Sequence, residues 1–303
     1  MPRKYRPDKA LPHFSAALVH RSSTVRLPLS FTAPRRLDPT SRILLSITQR
    51  DHEDYEFLLA TARAAKAQGL THFVHLDQPI GIWNYIRIAN EMAERIPRGR
   101  LLDWGCGFGQ MTYLLRRRGF DVTPFDIGAP DSRLPDVPLS RDLQVVRSAH
   151  PTELPFADRS FDVVLSCGVL EHVDEFSEPG NELKSLAEIG RVLRPRGYFS
   201  IYQLPQRYTW QEAVTRRLGV GYAHPRRYTA SEIRDMLTRA GFDVERLRRN
   251  NLFPKNLTGV PEPARILYSR FSRALIRIDD ALSRVPVLNQ IAGVLEIMAR
   301  RAA

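Results

Sequence analysis

The amino-acid sequence predicts an α/β fold: a doubly wound, mostly parallel sheet with helical additions at both ends. Three observations predict it. From Arg100 onward, short apolar segments alternate with helical ones, as in successive βαβ units. The first apolar segment runs into three glycines at alternate positions, in "LLDWGCGFGQ" over residues 101–110. The second ends on an acid, Asp126, which follows the last of these glycines by 17 residues.

The residues before this pattern predict an extension followed by helices. Residues 1–45 are basic and rich in proline, so we expect extended and partly disordered chain there. Apolar residues at three-to-four spacing predict helices over residues 51–68 and 82–96. We therefore expect residues 46–98 to form a helical N-terminal part of a domain that spans residues 46–260.

Residues 99–260 predict the core of that domain. Apolar or β-branched runs indicate six strands: "RLLDW", "DVTPFDI", "DLQVVRS", "FDVVLSCG", "YFSIYQL" and "FDVERLRRN". Helical periodicity, with glycine or proline at the ends, indicates three helices between them: "QMTYLLRRRGF", "NELKSLAEIGRVL" and "TASEIRDMLTRAGF". Strands that alternate with helices favour parallel pairing with helices on both faces of the sheet.

Residues 261–303 predict an amphipathic helical tail. Apolar residues recur every three or four positions, and most arginines fall elsewhere on the helix; the apolar set is Leu267, Phe271, Leu275, Ile278, Leu282 and Val285. A second helix is predicted beyond Pro286, over "VLNQIAGVLEIMARR". Three roles stay open for the tail: packing on its own domain, contact with a partner, and peripheral contact with an anionic membrane.

Composition and charge limit the classes of protein that fit. The 303 residues carry a net charge of +12, and the hydrophobic content of 43% can supply an ordinary core. Residues 1–50 hold ten basic and two acidic residues, residues 245–303 hold eleven and five, and the middle is nearly neutral. Basic ends favour an anionic surface as partner, although a solvated exterior gives the same pattern.

The cysteines and the apolar runs predict a cytoplasmic protein. Two cysteines, Cys106 and Cys167, make no disulfide framework and have no metal-ligand spacing, so we expect no metal site. No apolar run approaches the roughly 18 residues of a membrane span, and we find no export signal. Peripheral membrane contact through residues 261–303 is the alternative location.

The glycines and Asp126 predict a site for a ligand that contains a nucleoside. Glycines between a strand and a helix let a ligand lie against bare backbone, where the amide groups at the helix start point toward it. A carboxylate after the next strand can accept hydrogen bonds from ribose hydroxyls.

Two nucleoside classes compete for this site. A dinucleotide loop requires G-x-G-x-x-G, whereas here the third glycine, Gly109, comes one position early. Asp103 would repel a pyrophosphate but would attract a cationic ligand that bears an ammonium group. S-adenosylmethionine has an ammonium, a sulfonium and an adenosine, so it fits this pattern better.

Several segments together resemble the class I S-adenosylmethionine-dependent methyltransferases, in particular the branch with quinone-biosynthesis and other small-molecule enzymes. They are "LLDWGCGFG", "FDI", "ELPFADRSFDVVLSCGVLEHV", "RVLRPRGYFSIY" and "YTASEIRDMLTRAGFDV", within residues 80–250. The resemblance implies a Rossmann-like seven-stranded sheet in the order 3-2-1-4-5-7-6 with an antiparallel last strand. We expect that strand between Arg246 and Val260.

The resemblance also implies the residues that bind S-adenosylmethionine. Asp103 and the glycines at 105, 107 and 109 would hold its amino acid part, and Asp126 its ribose. The family usually has an acid or amide for the adenine at the position of His150, which is followed here by a proline without an N–H. We expect Cys106 and Cys167, at the ends of neighbouring strands, to lie close together beside the cofactor.

Candidate catalytic and acceptor-binding residues follow from the chemistry of methyl transfer. A hydroxyl acceptor benefits from a general base, for which the candidates are His172 in "LEHV" and His224 in "YAHPRRY", each also readable as a structural histidine. The predicted acceptor-lining residues are aromatic: Tyr85, Tyr208, Trp210 and Tyr222.

The sequence therefore predicts a methyltransferase for a small-molecule acceptor, with oxygen as the favoured atom and a lipid- or carrier-linked acceptor as one form. One alternative is a non-catalytic scaffold of the same fold held at a membrane. A nucleic-acid methyltransferase is a weaker alternative, because "SCGV" stands where base-amine methyltransferases have an Asn/Asp-Pro-Pro-aromatic run.

Overall fold

The computed structural model describes residues 47–70, 75–128, 134–150, 152–175, 180–219, 223–257 and 260–303. The predicted N-terminal extension over residues 1–45 lies outside these ranges, and so does Tyr222. No helix among the described residues is long and apolar enough to cross a membrane.

The centre of the fold is a seven-stranded sheet in the order β3-β2-β1-β4-β5-β7-β6, which confirms the predicted fold class. Strands β1 to β5 pair in parallel, and β7 runs antiparallel to both of its neighbours. The strands are β1 (Arg100–Trp104), β2 (Asp121–Ile127), β3 (Val146–Ser148), β4 (Phe161–Cys167), β5 (Leu193–Pro205), β6 (Phe242–Asn250) and β7 (Val294–Arg301).

Eight helices surround this sheet within the described residues. They are α1 (Gln49–Ala67), α2 (Pro79–Arg95), α3 (Gln110–Arg116), α4 (Asn181–Val192), α5 (Trp210–Leu218), α6 (Ala230–Arg239), α7 (Glu262–Arg270) and α8 (Ser272–Leu282). The single amphipathic helix expected in the tail is thus two helices that meet at Phe271.

Alternating side chains of the sheet build two separate cores. Leu101 and Val163 join a core that also contains residues of α1, α2, α3 and α8. Their neighbours Leu102 and Val164 point to the opposite face, where the core includes residues of α4 and α6. This alternation is the period of a strand buried on both sides.

The last strand differs from the prediction. The helix expected over "VLNQIAGVLEIMARR" is wrong, because Val294–Arg301 is strand β7, inserted between β5 and β6. The expectation that the antiparallel strand lies between Arg246 and Val260 is wrong for the same reason. The end of the tail is therefore part of the sheet.

A buried carboxylate fixes β7 in this place. Glu296 is 3% exposed and pairs with Arg87 of α2 and with Arg248 of β6, whose Nε lies 2.6 Å from Glu296 Oε2. Burial alone would raise the pKa of Glu296, but the two guanidinium groups outweigh it and lower the pKa to about 2. The ion pairs make an acid acceptable in the middle of a buried strand.

The position of β7 in the sheet gives a test by stability. Ile297 is buried between Ile201 and Leu247, whereas Ile291, just before the strand, is 45% exposed. We expect Ile297→Ala to lower the free energy of unfolding by about 2–5 kcal/mol and Ile291→Ala by less than roughly 0.5 kcal/mol. Urea unfolding measures both, and equal small losses would contradict a central β7.

Candidate cofactor and acceptor site

The glycine loop between β1 and α3 has a left-handed backbone at all three glycines. Gly105, Gly107 and Gly109 have φ values of +74°, +53° and +87°. A Cβ on Gly105 would lie 2.5 Å from Val169 Cγ2, and a Cβ on Gly109 would lie 2.3 Å from Leu143 Cδ2. At Gly107, no atom of the described residues other than its chain neighbours lies within 4 Å of that position, so this glycine borders open space against which a ligand can lie.

Asp126 connects this loop to the end of β2. Its Oδ2 accepts a hydrogen bond from the Gly107 amide at 2.8 Å, and its Oδ1 accepts one from the Ile127 amide at 2.8 Å. A carboxylate offers about four lone-pair positions, so each oxygen retains one for ribose hydroxyls. Burial raises the pKa of Asp126, while these two amides and Arg147 act against the rise.

Asp103, the last residue but one of β1, is a buried acid. Its side chain is 2% exposed, and its Oδ2 accepts a hydrogen bond from the Thr112 hydroxyl of α3 at 2.6 Å. Burial raises the pKa of Asp103 to about 6, with a further rise from Asp126 and an opposing effect of Thr112. A buried carboxylate that is costly to ionise favours a cation beside it.

Both cysteines lie at the carboxyl edge of the sheet. Cys106 follows β1 and Cys167 ends β4, and Trp104 pairs with Ser166 across these strands. Burial raises the pKa of both thiols, with further increases from Asp103. Neither thiol is therefore a thiolate nucleophile near neutral pH.

His150 follows β3, on the same edge of the sheet. Its Nδ1 lies 2.7 Å from the hydroxyl of Thr152, and its amide donates to the Ser148 hydroxyl. The ring is therefore held by residues of its own turn, and its predicted contact with adenine stays a prediction.

Two histidines from distant segments meet just beyond β4. His172 lies in the 3₁₀ segment Leu170–Glu175, and His224 precedes α6; their ring centroids are 5.8 Å apart. His224 Nδ1 lies 2.6 Å from Oε1 of Glu212 on α5, and Glu212 is 8% exposed. A buried carboxylate thus orients one imidazole of the pair.

The same cluster has a donor set that suits a divalent cation. Ligand atoms of Glu171, His172 and His224 lie within 4.8 Å of one another, and Glu212 lies at hydrogen-bond distance from Nδ1 of His224. The sequence predicted no metal site, because the histidines are far apart along the chain. Their spacing carried no such signal.

The predicted acceptor-lining aromatics have different surroundings. Tyr85 on α2 is buried, and burial, together with the charges of Cys167 and Asp103, raises its pKa. The Trp210 indole donates a hydrogen bond to the Leu252 carbonyl at 2.8 Å, which fixes the start of α5 to the turn after β6. Tyr208 is 66% exposed.

Three residues that shape the site had no signal in the sequence. Thr112 and Glu212 hold Asp103 and His224, and Leu143 fills the space beside Gly109. Each acts through a contact between segments that are separate along the chain. The local sequence pattern around these residues therefore did not predict their roles.

Three features together define a class I S-adenosylmethionine-dependent methyltransferase: the sheet order, the loop of three glycines, and Asp126 at the end of β2. A family model described as "Methyltransferase domain" matches residues 82–247, and the chain belongs to this family. S-adenosylmethionine is its cofactor. The open space at Gly107 and the buried acid at Asp103 suit an adenosyl ligand with an ammonium group.

Similar proteins include a probable S-adenosylmethionine-dependent methyltransferase of Mycolicibacterium smegmatis, 31% identical over 166 residues, which are 53% of this chain and 57% of the relative. Probable tRNA methyltransferase 9B of Bos taurus is 32% identical over 116 residues, 38% of this chain and 24% of the relative. The chain thus spans 57% and 24% of the lengths of these relatives.

Among solved structures, the Burkholderia thailandensis 1,6-didemethyltoxoflavin-N1-methyltransferase with bound 1,6-didemethyltoxoflavin and S-adenosylhomocysteine is 20% identical. The match covers 86% of this chain and 93% of that chain, with a TM-score of 0.45.

The predicted role of Asp103 gives a dependence of cofactor binding on pH. With a pKa of about 6, Asp103 becomes neutral as the pH falls through 6 and then cannot attract an ammonium group. We expect the affinity for S-adenosylmethionine to fall below about pH 6, by up to roughly ten-fold per pH unit. Calorimetry at a series of pH values measures this. Asp103→Asn, which retains an acceptor for Thr112, should flatten the profile, and an equally steep profile in the variant would contradict the role.

The predicted ribose contact of Asp126 is tested by its removal. We expect Asp126→Ala to weaken binding of S-adenosylmethionine by about 1.5–3 kcal/mol, because charge-assisted hydrogen bonds are lost. Asp121→Ala is the matched control, since Asp121 is the exposed first residue of the same strand. Calorimetry should find the control unchanged, and equal affinity in both variants would refute the ribose contact.

Proposed function

We propose that this protein transfers a methyl group from S-adenosylmethionine to a hydroxyl oxygen of a small molecule. The observation that carries the proposal is the pair of histidines beyond β4, one of them oriented by a buried carboxylate. Such an arrangement serves a reaction that must remove a proton. Methyl transfer to a hydroxyl is one, because the neutral oxygen is a weak nucleophile.

The proposed proton route starts at the acceptor hydroxyl. When His224 donates its Nδ1 hydrogen to Glu212, its lone pair lies on Nε2, the nitrogen that would take the proton. Glu212 would stabilise the imidazolium that forms. His172 is the second candidate base, since its ring adjoins that of His224.

The cofactor supplies a methyl group on a sulfonium, which is already activated for displacement. The protein then has two tasks, alignment of the acceptor and exclusion of water. We propose that Asp103 holds the ammonium and Asp126 the ribose, while Gly107 lets the ligand lie against the backbone. The buried Tyr85, which is electrostatically coupled to Asp103 and Cys167, is proposed to border the acceptor.

Acceptors of other classes have less support. An amine with a lone pair needs no base of this kind. A tRNA substrate appears in the name of a relative, and this chain spans 24% of the length of that relative. We place the reaction in the cytoplasm, on the argument from the two reduced cysteines.

The proposal is tested with S-adenosylmethionine that carries a deuterated methyl group. Extracts of the cells that produce this protein are separated into metabolites, nucleic acid and protein. The full chain is incubated with each fraction and with the labelled cofactor. Mass spectrometry should find the label in a small molecule, on oxygen. Label in the nucleic-acid or protein fraction, label on nitrogen, or no label despite measured cofactor binding would overturn the proposal.

The base is tested with the metabolite that acquires the label as acceptor. We expect His224→Ala to lower kcat by about 100-fold, because the proposed base is lost. Glu212→Gln should lower kcat by roughly ten-fold. His52→Ala, a histidine that stacks edge-on against Trp83 of α2, is the control. Cofactor affinity should not change in any of them.

A chelator separates the two chemistries that this cluster can support. Activity that persists in a chelator favours proton transfer to an imidazole. Activity that a chelator removes and a divalent cation restores would contradict the base assignment, and would instead make Glu171, His172 and His224 ligands of the ion.

A further inference from the structure

Exposed apolar side chains concentrate in one part of the described chain, residues 262–291, which contains α7, α8 and the 3₁₀ segment Leu288–Ile291. We call it the α7–α8 face. Fourteen large hydrophobic residues are exposed in the described chain, and eight of them belong to this face: Ile266, Leu267, Phe271, Ile278, Val285, Val287, Leu288 and Ile291. Their exposed fractions run from 39% to 80%. A concentration of this kind marks an interaction surface.

The other side of α8 packs on the domain. Its buried positions recur at four, three and four residues: Ser272, Ile276, Asp279 and Ser283. Asp279 pairs there with the buried Lys255. The inner side of α8 therefore already packs on the domain, and the exposed apolar side chains lie outside this inner side.

Arginines accompany the exposed apolar residues at a constant interval. Arg270, Arg277 and Arg284 directly precede Phe271, Ile278 and Val285, at intervals of seven residues. The first pair lies where α7 meets α8, and the last follows the end of α8, where Arg284 also pairs with Asp280 at 2.6 Å. Guanidinium groups thus stand beside exposed apolar residues along this part of the chain, with Arg273 as a further cation over the Trp83 ring. An amphipathic helix that lies in a membrane interface has this composition.

A basic groove opens beside this face, between α1 and α7. It has a volume of about 520 Å³ and is lined by four cations, Arg63 and Lys66 of α1 and Arg265 and Arg270 of α7; the acids in its lining are Asp77 and Glu262. The Nε of Arg265 is buried and has no hydrogen-bond partner among the described residues. A guanidinium in this condition suits an anionic oxygen, such as that of a phosphate.

We propose that the α7–α8 face binds the surface of an anionic bilayer, with a lipid phosphate in the groove between α1 and α7. Apolar side chains such as Phe271 and Ile278 would enter the boundary between headgroups and acyl chains. The arginines would lie among the phosphates, with their stems along the apolar layer. A protein partner would match the apolar side chains but has no need of the arginines, and a nucleic acid would match the arginines but not the apolar side chains.

Attachment of this kind is reversible and brings the enzyme to a surface. Membrane attachment would also present a lipid-linked hydroxyl to the site, a consequence that rests on the proposed function. The membrane contact itself does not depend on methyl transfer. It can therefore be tested without cofactor or acceptor.

The test is sedimentation of the full chain with vesicles. One set is phosphatidylcholine alone, and the other contains equal parts of phosphatidylcholine and phosphatidylglycerol. We expect the chain to sediment with the anionic vesicles, to remain in solution with the neutral ones, and to be released by salt. Inorganic phosphate should release no more of the chain than sodium chloride does at the same ionic strength, which separates a lipid surface from a site for free phosphate.

Variants separate the two parts of the face. Phe271→Ser with Ile278→Ser should weaken partitioning into anionic vesicles by at least roughly ten-fold, through lost apolar burial. Arg270→Gln, Arg277→Gln and Arg284→Gln together should weaken it by roughly five-fold for each arginine. The controls are Leu218→Ser on α5 and Arg239→Gln on α6, which are 64% and 75% exposed. Binding of S-adenosylmethionine should be unchanged throughout, which shows that the variants fold.

Three results would overturn the proposal. They are equal binding to neutral and anionic vesicles, no binding to either, and losses in the control variants as large as those in the face variants. Competition by tRNA that removes all vesicle binding would instead assign the face to nucleic acid. Each of these results leaves the proposed methyl transfer unaffected, because that activity has its own assay.

Discussion

The described fold depends on how one buried carboxylate, Glu296, is neutralised. It lies in the last strand, between β5 and β6, and a charge in that place would be costly without partners. Arg248 comes from the neighbouring strand, whereas Arg87 comes from α2, a helix at the other end of the sequence. Because Glu91 of α2 also pairs with Arg248, the same network that holds β7 in the sheet fastens the N-terminal helical layer over it. The place of β7 in the sheet and the docking of α2 on it therefore depend on the same ion-pair network.

The site uses the same device on a smaller scale, since a single acid joins segments that would otherwise be independent. Asp126 holds the glycine loop to the end of β2, Asp103 holds β1 to α3 through Thr112, and Glu212 holds α5 to the segment that carries His224. Parallel strands end at one edge of the sheet, which brings Asp103 and Asp126 to the same edge. Burial tends to raise the pKa values of two of these acids, Asp103 and Asp126. That arrangement is suited to a cation and unsuited to a pyrophosphate.

Features that depend on local sequence pattern could be predicted from the sequence, whereas features that depend on contacts between distant segments could not. Six strands, the glycine loop and the place of Asp126 follow from hydrophobic periodicity and turn chemistry, and the structure has them all. Strand β7 could not be predicted in this way, because Leu, Glu, Met, Ala and Arg favour a helix in isolation and only pairing on both edges makes "VLEIMARR" a strand. Two further features could not be predicted from sequence: the contacts that join Glu212, His224 and His172, and the groove between α1 and α7. Each brings together residues more than ten positions apart along the chain.

The burial of the two cysteines at the edge of the sheet bears on a side reaction, methylation of the protein by its own cofactor. An activated methyl group is an electrophile toward any strong nucleophile in reach, and a thiolate is a far better nucleophile than a hydroxyl. Burial keeps Cys106 and Cys167 protonated, and the acids around them reinforce this. Asp103, the acid proposed to hold the ammonium, therefore also helps to keep both thiols protonated, which would protect the protein from methylation by its own cofactor.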